Sequence, residues 1–192
     1  MGYSFIGEDK ITEKVVRLKE IQNQLKKDSV NLIIAFAPGK ASYFPEFLPS
    51  EYDTAKRTLS NYLCYVKNCK DLGLDFIDFN ADFINYKKQN KHPLFPKGGI
   101  HWGELGVALA FDSLMRYIEE KRGVNMPDFD LVRLEYPDTL LEEDRDISDA
   151  MNLLLDYKYY KMPKPHFLFQ DKIGTERLRL LIIGDSYGYG LT

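Results

Sequence analysis

Alternation of apolar strands with amphipathic helices along the 192-residue chain predicts an α/β layered fold with a largely parallel sheet. Three stretches carry that prediction. "VNLIIAFAP" (30–38) is apolar throughout and stops at Pro38-Gly39, the pattern of a strand buried on both faces. "LDFIDF" (74–79) repeats it in shorter form, and "RLRLLIIGDS" (177–186) ends the series with Leu180 to Ile183 as a buried strand. Neither an internal repeat nor a linker-like stretch interrupts the pattern, so one domain is expected over 1–192, with an N-terminal helix at about 10–27 and a core from 30 onward.

The elements follow in order. Ile11, Val15, Leu18, Ile21 and Leu25 recur at helical spacing and make 10–27 an amphipathic helix. "SEYDTAKRTLSNYLCYVKNCKDLG" opens on Ser50, a residue able to cap, and closes on Gly73, which predicts one long helix. A polar, lysine-rich loop with two prolines spans about 86–100. "HWGELGVALAFDSLMRYIEEKRG" predicts a helix ending at Gly123, "FDLVRLEY" a strand and "DISDAMNLLLD" a short helix. The stretch "YKYYKMPKPHFLFQ" alternates too irregularly to place.

Composition excludes several classes. Hydrophobic residues at 44%, with 13 Tyr and 12 Phe, exclude a disordered chain. A net charge of −3 with dispersed Lys and Arg argues against nucleic acid or an anionic membrane surface as partner. No apolar run reaches the roughly 20 residues of a membrane span, and "MGYSFIGEDK" lacks the pattern of a signal peptide. Cys64 and Cys69 sit on one predicted helix with side chains about 140° apart, which disfavours a disulfide. The three histidines lie far apart with no Cys/His ligand spacing, so no metal or other cofactor is expected.

Chemistry concentrates in two blocks. "GDSYG" lifts the Ser186 hydroxyl out of a turn and matches the G-x-S-x-G elbow formally. In α/β-hydrolases the acid and histidine follow the serine, whereas only "YGYGLT" follows here, so a histidine must come from upstream. His101, in "KGGIHWGELG" ahead of a long helix, is the best placed of His92, His101 and His166. Residues entering a helix in a parallel α/β sheet lie at the edge where the strands' carboxyl ends emerge, which is where Ser186 ends its strand. The helix dipole would help keep His101 neutral, as a general base must be. Singly, the first block is compatible with a tight turn and the second with a packed histidine; together on one edge they point to acyl transfer.

Other motifs carry less. "APGK" at 37–40 lacks the first glycine and the Ser/Thr of a phosphate-binding loop, so Lys40 is expected to shape the loop after the first strand, near the site. The acidic run "LLEEDRDISD" reads as a solvated approach to a helix. The tyrosines of "LLDYKYYK" read as cover for a sheet edge rather than a sugar platform.

His101-Trp102 with Gly106, followed downstream by Gly184-Asp185-Ser186, resembles the SGNH-hydrolase-like acetyltransferases of the alginate O-acetylation group. Ordinary SGNH hydrolases carry these blocks in the opposite order. Weaker likeness lies in "NLIIAFAPGKASYFPEFLP", "GLDFIDFNADF" and "DISDAMNLL". The resemblance implies a three-layer, flavodoxin-like domain in which Ser186 takes an acetyl group, His101 is its base, and acetyl passes to a polysaccharide hydroxyl or to water. It implies oxyanion or site-lining positions at Gly184, Asp185, Tyr187, Trp102 and Lys40, with the Ser186 backbone N–H as one oxyanion donor. Partners would be a polysaccharide, an acetyl donor and other envelope acetylation proteins, in the bacterial periplasm or cell envelope.

Two positions depart from the family pattern. The family's orienting aspartate precedes its histidine by two residues, where this chain has Gly99, so a backbone carbonyl or an acid such as Asp78 or Asp82 is expected to hold His101. The elbow serine normally leads into a helix, for which the residues after Ser186 are too few, and a C-terminally truncated domain is expected. These departures also admit a non-catalytic SGNH-like module that binds polysaccharide or a partner in an acetylation complex.

Overall fold

A computed structural model describes residues 5–52, 59–152, 154, 158–170 and 174–191. The chain forms two compact units, Met1–Asp82 and Phe83–Thr192. Among the described residues no helix is long and apolar enough to cross a membrane.

In the first unit, helix α1 (Glu8–Lys27) carries Glu8 and Asp9 in its first turn and Lys26 and Lys27 in its last, charges that complement the helix dipole. Its fully buried Ile11 and Val15 pack with Cys64, Cys69 and Leu74, each large aliphatic side chain contributing about 1.5–3 kcal/mol by leaving water. Both cysteines are free thiols. Strands β1 (Ile34–Phe36) and β2 (Phe76–Asp78) pair in parallel, with Ala35 opposite Ile77. Buried Gln22 ties α1 to this pair: its amide donates to the Leu32 carbonyl (2.7 Å) and its oxygen accepts from the Asp75 N–H (3.2 Å).

Two expectations for this unit need correction. The run 30–38 is not buried on both faces: only 34–36 is strand, Ala35 is exposed and Val30 is 48% exposed. Nor does one helix start at Ser50. Ser50–Tyr52 forms a 3-10 turn, 53–58 lies outside the described residues, and helix α3 (Asn61–Asp71) is capped by Ser60, whose hydroxyl accepts from the Leu63 N–H at 3.2 Å. Ser60 wins because a capping oxygen must sit within one turn of the donors it satisfies. A four-residue helix α2 (Lys40–Tyr43) follows β1, and helix α4 (Phe79–Gln89) follows β2.

The second unit is organised on helix α5 (Glu104–Arg122), which buries Leu105, Ala110, Leu114 and Ile118 and ends at Gly123. Gly123 adopts φ 63°, a left-handed conformation suited to glycine, and its N–H donates to the Glu119 carbonyl at 2.8 Å. Strands β3 (Asp128–Glu135) and β4 (Lys164–Gln170) form an antiparallel ribbon with a register break between Leu131 and Arg133. The α/β class and the parallel pairing of the first strands stand, while this second ribbon is antiparallel. Strand β4 lies in the stretch that could not be placed. Pro163 and Pro165 broke its alternation, yet Pro165 pairs opposite Leu134, as an edge strand permits.

The short helix α6 (Asp146–Ala150) falls inside "DISDAMNLLLD" as predicted. The last predicted strand is absent: 177–183 adopts no regular structure, and Leu180, Leu181 and Ile183 are 51%, 82% and 90% exposed. A strand needs a ladder partner, and none pairs with this segment among the described residues.

Candidate active site

The loop carrying His101 is anchored at both ends. Leu94 and Phe95 are fully buried, and the Gly103 N–H donates to the Leu94 carbonyl at 2.8 Å just before α5 begins. Trp102, 7% exposed, packs its ring 5.8 Å from Phe83. On the other side the Gly98 carbonyl accepts from the Ile147 and Ser148 N–H groups (3.1 and 3.0 Å). Of the three tyrosines expected at a sheet edge, Tyr157 lies outside the described residues and the other two brace this loop: Tyr160 donates to the Phe95 carbonyl, and Tyr159 shares a 2.7 Å hydrogen bond with Ser148.

Ser186 opens a 3-10 turn that runs to Leu191, a shorter structure than the helix of an elbow. Asp185 organises it: its carboxylate accepts from the Tyr187 N–H (3.1 Å) and its carbonyl from the Gly188 N–H (3.0 Å). Tyr187 then locks the turn onto the histidine loop. Its hydroxyl donates to the Ile100 carbonyl at 3.2 Å, and its ring stands edge-on to His101 (4.9 Å) and Trp102 (5.2 Å). Burial, and then the charge of Asp185, raise the Tyr187 pKa, so the hydroxyl stays protonated and keeps donating.

These anchors bring the two predicted blocks together. Ser186 Oγ lies 2.7 Å from His101 Nε2, across 85 residues of chain. On the far side of the imidazole, Asp146 Oδ2 is 4.0 Å from His101 Nδ1. That is beyond hydrogen-bond length but within reach of charge, and it favours the tautomer with hydrogen on Nδ1, leaving Nε2 to accept from the serine. Asp146 is itself held at Oδ1 by the N–H groups of Ile100 (3.0 Å) and Ile147 (2.7 Å).

Position 99 explains why the nearby carboxylate comes from α6. A Cβ on Gly99 would sit 2.4 Å from the Glu143 carbonyl oxygen and 2.8 Å from Pro96, so a side chain there would force its neighbours to move. The loop that brings Asp146 to the histidine is the same loop that closes position 99. Sequence reasoning missed Asp146, placing it in a merely solvated acidic run. Its one local signal was an aspartate opening a short helix.

In the first unit, the two carboxylate oxygens of Asp78 share the single Tyr62 hydroxyl proton (2.9 and 2.7 Å), and Oδ1 also accepts from the Ala81 N–H (3.1 Å). Burial, with the hydrogen bond and charge of Asp78, pushes Tyr62 up to about 12 against an opposing bond from Asn80. Asp82 lies in the first turn of α4, where desolvation and neighbouring Asp78 raise its pKa, and Lys40 begins α2; both belong to the first unit. His92 hydrogen-bonds Tyr136, and His166 on β4 meets Glu135 at 2.8 Å.

A cleft of about 1320 Å³ opens beside Ser186 and His101. One wall is aromatic, built from Phe111 of α5, Phe129 of β3, and Phe167 and Phe169 of β4. The other is the segment Leu141 to Asp146, with Glu104 at the start of α5. Asp144 in that wall is 6% exposed; burial, joined by the charges of Glu104, Glu143 and Asp146, raises its pKa to about 6 against a backbone hydrogen bond at Leu141. Gly184 lies two residues before Ser186 in the chain, and Trp102 and Gly190 also line the cleft.

A family model described as SGNH hydrolase-like domain, acetyltransferase AlgX, matches residues 6–138, a span that includes His101 and ends before Ser186. No curated protein sequence matches the chain. Among solved structures, the O-acetyltransferase domain of Pseudomonas putida AlgJ is similar at TM-score 0.51 and 16% identity, over 84% of this chain and 57% of that one. Pseudomonas aeruginosa AlgX is similar at TM-score 0.56 and 15% identity, over 83% and 38%. Bacillus cereus PatB1 follows at TM-score 0.50 and 14% identity, over 83% and 52%. The chain thus spans between 38% and 57% of these proteins' lengths, and at such identities the likeness is one of fold.

Proposed function

Because the chain belongs to the family of AlgX-type SGNH hydrolase-like acetyltransferase domains, we propose that it is a serine-dependent carbohydrate O-acetyltransferase or acetylesterase. Its substrate class is a bacterial exopolysaccharide or cell-envelope glycan. The observation that carries this reading is the 2.7 Å approach of Ser186 Oγ to His101 Nε2.

His101 Nε2 takes the Ser186 proton as Oγ attacks the carbonyl carbon of an acetyl ester. The carbonyl oxygen becomes an oxyanion, for which the Ser186 backbone N–H is a donor. Collapse breaks the bond to the donor's alkoxy oxygen, which leaves with the proton held by His101, and acetyl remains on Ser186. A glycan hydroxyl, or water, then gives its proton to Nε2 and attacks the acetyl-serine carbonyl. Ser186 Oγ departs and recovers that proton. Throughout, Asp146 faces the imidazolium and stabilises it while fixing the tautomer.

Family membership supports work in the bacterial periplasm or cell envelope, with an acetyl donor and other acetylation proteins as partners. The test is hydrolysis of 4-nitrophenyl acetate by the protein and by its Ser186→Ala and His101→Ala variants. Each variant is expected to lose at least about 100-fold in turnover. Equal rates in all three would overturn the catalytic reading and leave a non-catalytic, glycan-binding module.

A further inference from the structure

The cleft beside Ser186 is electrically one-sided. Six carboxylates line it: Glu104, Glu142, Glu143, Asp144, Asp146 and Asp149. Arg145 is the one lysine or arginine among its described lining residues; one guanidinium nitrogen lies 3.6 Å from Asp149, and its Nε is buried without a hydrogen-bond partner. By contrast, no cation pairs with Glu104, Glu142, Glu143 or Asp144 among the described residues. Dispersed surface acids would be unremarkable for a chain of net charge −3, but these converge on one concavity.

Two further features point from this wall to a ligand. Asp144 is 6% exposed and lines the cleft, its carboxylate held by a backbone hydrogen bond at Leu141 and by no cation among the described residues. Its raised pKa has the same origin, since burial and three neighbouring carboxylates oppose its ionisation. A cationic group entering the cleft would relieve that opposition. In the same cleft, Phe129 gathers Phe167 (5.0 Å) and Phe169 (6.0 Å) into an aromatic face, of which Phe169 is 71% exposed. A cleft lined by both an aromatic face and carboxylates suits a pyranose ring, whose C–H face stacks while its polar substituents meet the acids.

We propose that the acceptor bound in this cleft is a glycan bearing free amino groups, a hexosamine polymer, and that polymers carrying a carboxylate on each sugar are excluded. This rests on the reading of the cleft as the acyl-transfer site. The physical reason is repulsion in a partly dehydrated groove. Each uronate carboxylate would face several uncompensated negative charges at short range, whereas an ammonium would neutralise one or more of them.

The test compares three β-1,4-linked hexamers of one backbone, made of glucosamine, glucose or glucuronic acid. Binding to the protein is measured by calorimetry at a pH where the amines are charged. Expected is the order glucosamine, glucose, glucuronic acid, with at least about tenfold between the extremes at about 50 mM salt. The spread should narrow at about 500 mM salt, and also in a Glu104→Gln/Glu142→Gln/Glu143→Gln variant; the salt arm answers the question if that variant does not fold. Equal affinities, tighter binding of the glucuronic acid hexamer, a spread indifferent to salt, or no binding of any hexamer would each overturn the inference. Ester hydrolysis dependent on Ser186 is measured separately on the same protein. An intact binding order without that hydrolysis would uphold the charge selectivity and remove the catalytic reading alone.

Discussion

Tyr187 donates its hydroxyl to the Ile100 carbonyl at 3.2 Å, so the residue after the proposed nucleophile is bonded to the residue before the proposed base. This contact ties the turn bearing Ser186 to the loop bearing His101, whose side chains approach to 2.7 Å. Tyr187→Phe keeps the ring against Trp102 but removes the bond. Stability should fall by about 0.5–1.5 kcal/mol. Turnover of a small acetyl ester should drop about 3- to 10-fold as the serine drifts from Nε2. Thermal melting and steady-state kinetics on the same preparation check both; a variant unchanged in both would show the bond to be incidental.

Asp146 stands 4.0 Å from His101 Nδ1, so its contribution should be real but reduced. Asp146→Asn is expected to lower kcat roughly 10- to 100-fold, less than the about 10⁴-fold loss when a directly bonded triad acid is neutralised. Adding Gly99→Asp should not rescue it, because a side chain at 99 meets the Glu143 carbonyl 2.4 Å from its Cβ. Rescue by the second change would show that the two loops separate easily.

The same closeness makes a stability prediction. Gly99→Ala forces the Glu143 carbonyl and Pro96 to move, which should cost about 1–3 kcal/mol. In a chain of this size that is a fall of about 2–12 °C in Tm, readable by calorimetry. An unchanged Tm would mean that the Glu143 segment yields freely.

Asp144 links stability to pH. Its folded pKa of about 6 exceeds the ordinary 3.8, so between these values the folded chain holds a proton that the unfolded chain has released. Its contribution to stability is therefore fully present below about 3.8 and lost as pH rises through about 6. Asp144→Asn, which removes the buried charge, should be more stable than the parent at pH 8 by up to about 3 kcal/mol, with the gain vanishing in acid. Denaturant midpoints for both proteins across that range give the answer; parallel curves would place the ionisation elsewhere.

Legibility followed the range of the interaction involved. Helix α5 and its end at Gly123 could be read because apolar spacing and a C-terminal glycine are local properties. Strand β4 was hidden by Pro163 and Pro165, which spoil alternation without spoiling an edge strand. Residues 177–183 show the reverse error: apolar composition makes a strand only where a partner supplies the ladder.

The sequence by itself determined the order of the two reactive blocks, histidine before serine, and the helix and turn that present them. Only the tertiary structure decided which carboxylate faces His101, since Asp146 is held by the Ile100 N–H on a loop so close that a Cβ at position 99 would collide with the Glu143 carbonyl. It also decided that the acidic run lines a cleft together with an aromatic face. Periodicity and capping report neighbours within a few residues, whereas the charge and shape of a site are sums over segments that meet only when the chain has folded.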